Sequence, residues 1–172
     1  MNRRAARGRE EPVDEMAALS PGGRHILDVV AKALTDRKVE TGAVLDRPRI
    51  SVDSADIADV CRTLKIHPNT SFKTLLCIAA VDYKEYIQMV YLLHSSKEEQ
   101  TLAVKTDLPY ENPRLPSVTE VWRAADWYER EAHDLFGVEF EGHPDLSPLL
   151  LYEGFEGRPG LKEFPFHDYD EY

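Results

Sequence analysis

The sequence predicts an α+β domain, a two-layer arrangement of a mixed β-sheet and helices, followed by an extended C-terminal arm. Three observations point there. Elements run in the order helix, two strands, helix, several strands. A strongly patterned helix follows over residues 117–137. Beyond Gly137, Pro144, Pro148, Pro159 and Pro165 alternate with Gly142, Gly154, Gly157 and Gly160. Such a composition cannot build a core of its own, yet Phe140, Tyr152, Phe155, Phe164, Phe166, Tyr169 and Tyr172 are too many rings for a solvated linker. An arm that buries its rings against another surface satisfies both facts. The expected organisation is residues 1–19 as a mobile N-terminal segment, 20–137 as the α+β domain, and 138–172 as a partner-binding arm.

Residues 1–19 are polar, charged and aperiodic. Ser20-Pro21 supplies a cap and a proline at the first helical position, and Ile26, Val29, Val30, Ala33 and Leu34 mark an amphipathic helix to Arg37. Val39 to Leu45 and Arg49 to Val52 flank Asp46-Arg-Pro48, which predicts a hairpin. A second helix spans Ser54 to Lys65, capped by Asp53 or Ser54 and stopped before His67-Pro68. Phe72 to Val81 is nearly all apolar, either a buried strand or a short helix leading into one. Tyr86 to His94 reads as a strand, with Gln100 to Thr106 as its antiparallel neighbour, and Asp107 to Pro116, with three prolines, as a loop.

The helix over 117–137 is the most informative stretch. Ser117 and Glu120 have capping-box spacing, and Gly137 stands where a left-handed C′ residue belongs. Val118, Val121, Trp122, Ala125, Tyr128, Ala132, Leu135 and Phe136 form one apolar stripe. Two residues break the pattern. Glu129 projects into the stripe, where its carboxylate needs a cation or hydrogen-bond donors. Trp127 projects among Arg123, Arg130 and Asp134, either as an anchor for something outside the fold or as a ring lying over the Arg123 stem. Asp126–Arg130 and Arg130–Asp134 are spaced for ion pairs. Glu129, Arg130, Glu131 and Asp134 are therefore expected to form an ion-pair seam between the domain and its arm or a partner. His143, between Gly142 and Pro144, is expected to fix the turn that launches the arm.

At these residues the sequence resembles a known family. Glu129-Arg-Glu-Ala-His-Asp-Leu-Phe-Gly-Val-Glu-Phe-Glu-Gly-His-Pro-Asp-Leu146, then Gly154-Phe-Glu-Gly157 and Phe164-Pro165, is similar to the signature of the thirty-kilodalton-type (C-type) subunit of the NADH–quinone oxidoreductase of respiration, complex I. The likeness extends more weakly through Val81-Asp-Tyr83, Val90 to His94 and Pro116-Ser117. Ser147-Pro148 departs from it where the family usually has Arg, as does Arg158-Pro-Gly-Leu-Lys162 where it reads His-Pro-Leu-Arg-Lys.

The resemblance implies an accessory scaffold of a proton-translocating enzyme's peripheral arm, on the cytoplasmic or equivalent side, reaching the membrane only through the complex. NADH, FMN, iron–sulfur clusters and quinone would lie in partner subunits and none in this chain. The implied partners are the large forty-nine-kilodalton-type quinone-site subunit and the subunit bearing the terminal iron–sulfur cluster. With Trp127, which the helix pattern singles out, the signature marks Glu129, Arg130, Glu131, Asp134, Phe136, Gly137, Gly142, His143, Pro144, Asp145, Leu146, Phe155, Gly157, Phe164 and Pro165 as candidate interface residues. A related membrane-bound hydrogenase or a ferredoxin-driven photosynthetic complex would use an equivalent subunit.

Composition narrows other possibilities. Hydrophobic content is 42%, and no apolar run approaches the ~18 residues of a membrane-spanning helix. Arg3-Arg4 has no apolar segment after it, unlike a secretory or twin-arginine signal. Cys61 and Cys77 are lone thiols, expected to be buried and to suit a reducing compartment. The net charge is −10, concentrated in residues 129–172, which hold twelve acids and three bases. That tail disfavours nucleic acid and suits a basic protein surface or plain solvation.

No Cys-x-x-Cys pair serves an iron–sulfur cluster, and no glycine-rich phosphate loop follows a strand. Glu129 and His133 have helical metal-ligand spacing, but a di-iron Glu-x-x-His pair would need Glu at position 130, which is Arg. A free-standing metal enzyme using His133, His143 and the acidic cluster is the rival of another class. Catalytic and metal residues are expected to be none.

Overall fold

The computed structural model describes residues 15–165 of the chain. The expectations for residues 1–14 and for Phe166, Tyr169 and Tyr172 lie outside the described residues. Five strands make one sheet in the order β1-β2-β5-β4-β3. β1 (Val39–Val44) and β2 (Arg47–Val52) form the expected hairpin, with Leu45 in the left-handed region of its tight turn. β3 (Thr74–Asp82), β4 (Tyr86–Ser95) and β5 (Gln100–Pro109) form an antiparallel meander. β5 returns to pair in parallel with β2, which makes the sheet mixed, as expected.

The helices cover one face. α1 (Pro21–Ala33) starts at Ser20, whose Oγ accepts the Gly23 N–H, and buries Ile26, Leu27 and Val30. α2 (Ile57–Ile66) buries Ile57, Val60, Cys61 and Leu64. They close over alternate β4 residues Ile87, Met89, Tyr91 and Leu93, and over Leu102, Val104 and Leu108 of β5. This continuous apolar cluster is the core, and its burial is the main driving force of the fold.

Several expectations need correction. Residues 15–18 form a 3-10 turn, and Leu19 is buried in the core, so the domain begins before residue 20. Neither Asp53 nor Ser54 caps a helix through its side chain; Ser54–Asp56 is a 3-10 turn leading into α2. The stretch read as a loop continues β5 to Pro109 and then forms β6 (Arg114–Pro116), which pairs in parallel with β7 (Glu139–Glu141). Cys77 is half-buried rather than buried.

The largest correction concerns the long helix. α3 spans Ala125–Phe136, not Ser117 onward. Residues 117–124 instead form turns, and Glu120 points into solvent. The Ser117 N–H is taken by the Glu141 carbonyl as β6 meets β7, so no capping box can close. Gly137 does end the helix at φ 74°, as expected.

Candidate functional site

α3 lies against the edge strand β3 and is fixed there by side-chain donors. The Trp122 indole donates to the Lys73 carbonyl at 3.0 Å, and the Tyr128 hydroxyl to the Leu76 carbonyl at 2.8 Å. Leu76 is the unpaired residue of the β-bulge between Leu75 and Cys77, and Lys73 stands just before the strand. Lys65 bonds the Val121 carbonyl and sits 5.9 Å from the Trp122 ring centroid. Capping an edge in this way blocks further strand pairing.

The acids on and around this helix serve backbone amides. Glu129 is fully buried; it accepts the Val118 N–H at 2.7 Å and the Ser117 hydroxyl at 2.6 Å. Hydrogen-bond donors thus answer the stripe-breaking carboxylate, rather than a cation. Burial pushes it up to about 7, against the pull of the Ser117 and Val118 bonds, and nearby Asp126 adds to the rise.

Asp134, 3% exposed, accepts the N–H groups of Leu149, Leu150 and Leu151 on one oxygen. Burial raises it, but those three donors more than offset the rise and hold it below the usual aspartate value. Asp82, at the end of β3, likewise accepts the N–H groups of Lys84 and Lys162, the latter at 2.7 Å. Its burial is also outweighed, and its pKa is lowered.

The expected ion-pair seam is therefore, toward the arm, a hydrogen-bonded one. Arg130 donates to the Ser147 carbonyl at 3.1 Å, the Ser147 hydroxyl at 3.3 Å and the Pro148 carbonyl at 3.0 Å, not to Asp126 or Asp134. Ser147 stands where the family pattern has a cation, and here its oxygens take one. Glu131 is exposed. The physical reason is local: residues 147–151 lie along α3, and their free carbonyls and amides match Arg130 and Asp134 better than the two side chains match each other.

The C-terminal segment also returns to its own domain. Val138 and Phe140 are core residues, and Phe136 and Leu146 pack half-buried against the core. The Gly160 N–H donates to the Leu135 carbonyl at 2.8 Å, and a Cβ there would sit 2.8 Å from that oxygen and from the Phe136 ring. Arg158 donates to the Asp134 carbonyl. Phe155 packs edge-on to Tyr152 and stacked with Phe164, and Gly157 is held against Phe164. Among these rings the arm buries apolar surface partly in itself, where composition alone assigns it to another surface. Gly142, Pro144, Asp145 and Pro165 are exposed. His143 does organise its turn: its Nδ1 accepts the Asp145 N–H at 3.0 Å, and Asp145 accepts the Ser147 N–H at 2.9 Å.

Trp127 is 67% exposed, and no Lys or Arg among the described residues lies over its ring, so the Arg123 alternative does not hold. Leu150 and Tyr152, at 59% and 72%, are exposed on the segment laid along the same helix face. The metal alternative has no ligand set: among the described residues no three His, Cys, Asp or Glu side chains converge on a metal position. His133 places Nδ1 3.0 Å from the Val138 carbonyl, while His143 holds its neutral-state proton on Nε2 and offers a donor there rather than a lone pair.

Asp82 and Ser117 are the residues that sequence reasoning missed as parts of this site. The weaker stretches of the family likeness, Val81-Asp-Tyr83 and Pro116-Ser117, run through both, but neither gives a role: nothing local marks Asp82 as the acceptor of a distant amide or Ser117 as the partner of a residue twelve positions on.

Fold and site together define a small α+β domain whose buried acids hold its own irregular C-terminal half in place and whose central helix shows a tryptophan to the outside. Over residues 50–170 the chain matches the family model described as the respiratory-chain NADH dehydrogenase 30 Kd subunit, and it belongs to that family. It is 44% identical over 124 residues to a C-type NADH-quinone oxidoreductase subunit of Rhizobium meliloti, covering 70% of this chain and 68% of that one. It is 37% identical over 160 residues to the C-type subunit of Verminephrobacter eiseniae, covering 87% and 79%.

Among solved structures, it is similar to a chain of the membrane-bound sulfane sulfur reductase, an archaeal respiratory membrane complex. The TM-score is 0.70 at 30% identity, over 83% of this chain and 85% of that one. It is also similar to a trypsin-resistant fragment of Nqo5, with a TM-score of 0.53 at 28% identity over 72% and 98%. No helix among the described residues is long and apolar enough to cross a membrane.

Proposed function

We propose that the chain is a cofactor-free scaffold in the peripheral arm of a proton-translocating NADH:quinone oxidoreductase. It braces the large quinone-site subunit and the subunit with the terminal iron–sulfur cluster, on the cytoplasmic side of the membrane. Electrons pass from NADH through FMN and iron–sulfur clusters to quinone in those partners. The observation that supports this best is the exposure of Trp127 on α3 and of Leu150 and Tyr152 on the segment that Arg130 and Asp134 hold to that helix. Exposed large side chains on a fixed, acid-rimmed frame suit a preorganised docking surface for a basic partner.

The likeness to a chain of the sulfane sulfur reductase complex favours a second reading, the same scaffold in a membrane complex with another electron donor, such as a hydrogenase or a ferredoxin-driven enzyme. One experiment separates them. An N-terminally tagged chain is recovered from gently solubilised membranes, and the co-purifying subunits are identified. NADH-binding flavoprotein in fixed ratio supports the first reading, and iron–sulfur and membrane subunits without it support the second. A chain recovered alone overturns both. Arg130→Ala should lower the yield of assembled complex, by releasing residues 147–148; wild-type assembly in that variant would show the seam to be dispensable.

A further inference from the structure

Behind the first turns of α3, titratable groups converge that the scaffold reading does not use. The Glu129 and His143 side chains are both fully buried, with His143 Nε2 3.9 Å from Glu129 Oε2 and 3.4 Å from Asp126 Oδ1. The Asp145 N–H occupies Nδ1, so the neutral ring points its proton at these two carboxyls, yet that buried N–H has no well-aligned acceptor. From α2 and β4, the Cys61 thiol and the Tyr91 hydroxyl couple to the same carboxyl; burial first pushes both up, and Glu129 adds to Cys61 directly and to Tyr91 after Cys61 itself. No Lys or Arg among the described residues pairs with Glu129. The cluster opens beside Asp126 into a cleft of about 360 Å³ lined by Thr119, Glu120, Arg123, Gly142 and Pro144, so protons have a route in and out.

We propose that Glu129, Asp126 and His143 form a proton-binding site, in which one proton held on Glu129 locks the turn Gly142–Asp145 and its loss loosens that turn. The hydrogen bonds accommodate both states. Protonated Glu129 donates from Oε2 to the Ser117 oxygen and still accepts the Val118 N–H on Oε1, while Ser117 turns its own proton to Thr119 Oγ1 at 2.8 Å. A single carboxylate, Asp126, then faces the His143 Nε2–H, at 3.4 Å. When Glu129 ionises, two carboxylates one helical turn apart repel each other. Asp126, with its side chain 41% exposed, is the one free to swing into water, which takes the carboxylate nearest His143 Nε2 away from the turn.

Because Glu129 is pushed up to about 7 in the fold, the proton leaves near neutrality. A carboxyl raised above its unfolded value stabilises the fold at acid pH, and that contribution falls away as pH rises from about 4.5 to about 7.

The test uses the full chain with carboxyl-labelled glutamate, followed by NMR from pH 4 to 9. It is combined with urea unfolding at several pH values and with amide exchange at Asp145, corrected for the intrinsic rate. The expected result is a Glu129 midpoint near 7 and a folding constant roughly ten- to a hundredfold lower at pH 8 than at pH 5. Protection at Asp145 should fall over the same range, and the exposed substitution Asp126→Asn should lower the midpoint. A Glu129 midpoint in the ordinary glutamate range overturns the site. A midpoint near 7 that Asp126→Asn does not move overturns the cluster, and Asp145 protection that ignores Glu129 overturns the lock.

Discussion

The two halves of this domain are held together by different physics. The sheet with α1 and α2 closes over the larger part of the apolar cluster, from Leu19 to Leu108, in which no side chain is charged. The half after Pro113 has short strands and turns, and three buried acids, its own Glu129 and Asp134 and Asp82 of β3, gather its loose amides. Apolar burial is non-directional and tolerates repacking. A carboxylate clasp is directional, depends on charge, and leaves amides unmet when removed. The first half should therefore fail all at once and the second piece by piece.

The largest effect should come from the apolar half. Phe72→Ala empties a fully buried site and should cost about 3–5 kcal/mol, seen as one cooperative shift of the whole urea transition. Next, Asp134→Ala orphans three amides and should lower the local opening free energy of residues 149–162 by about 1–3 kcal/mol. Hydrogen exchange at Gly160 and Lys162 reads it, and a cooperative shift equal to that of Phe72→Ala would erase the distinction between the halves.

Acid should act as that variant does. Asp82 and Asp134 are lowered in the fold, so their contribution is present above the unfolded aspartate value of 3.8 and is lost as pH falls through their folded values. Limited proteolysis of the C-terminal half should accelerate below about pH 4, before the sheet's circular dichroism changes. Smaller still, Tyr128→Phe removes one hydrogen bond to the bulged edge and should cost about 0.5–1.5 kcal/mol, measured by urea midpoint.

The same division decides what could be read from the sequence. The β1–β2 hairpin, the Ser20 cap and the Gly137 helix end rest on neighbours a few residues apart, and periodicity or turn chemistry reveals them. The parallel pairing of β5 with β2 and of β6 with β7 joins distant segments and leaves no local trace. Ser117 looked like a cap because its spacing to Glu120 is right; its hydroxyl is instead committed to Glu129. Arg130 and Asp134 had pairing distance, but the segment laid along them outcompeted that pair, and only the folded chain could show it. Glu129 was legible as an anomaly because a charge within an apolar stripe demands an answer, even when the identity of that answer lies elsewhere.

The bond from the Lys162 amide to Asp82 spans 80 positions. A ribosome adding 5–20 residues per second leaves Asp82 waiting roughly 4–16 s for its partner to be synthesised. The meander can pair well before then, so the nascent chain passes through an interval in which the frame is built and its last fastening is still being translated. Whatever the outer face of that frame meets in those seconds competes with the chain's own unfinished end.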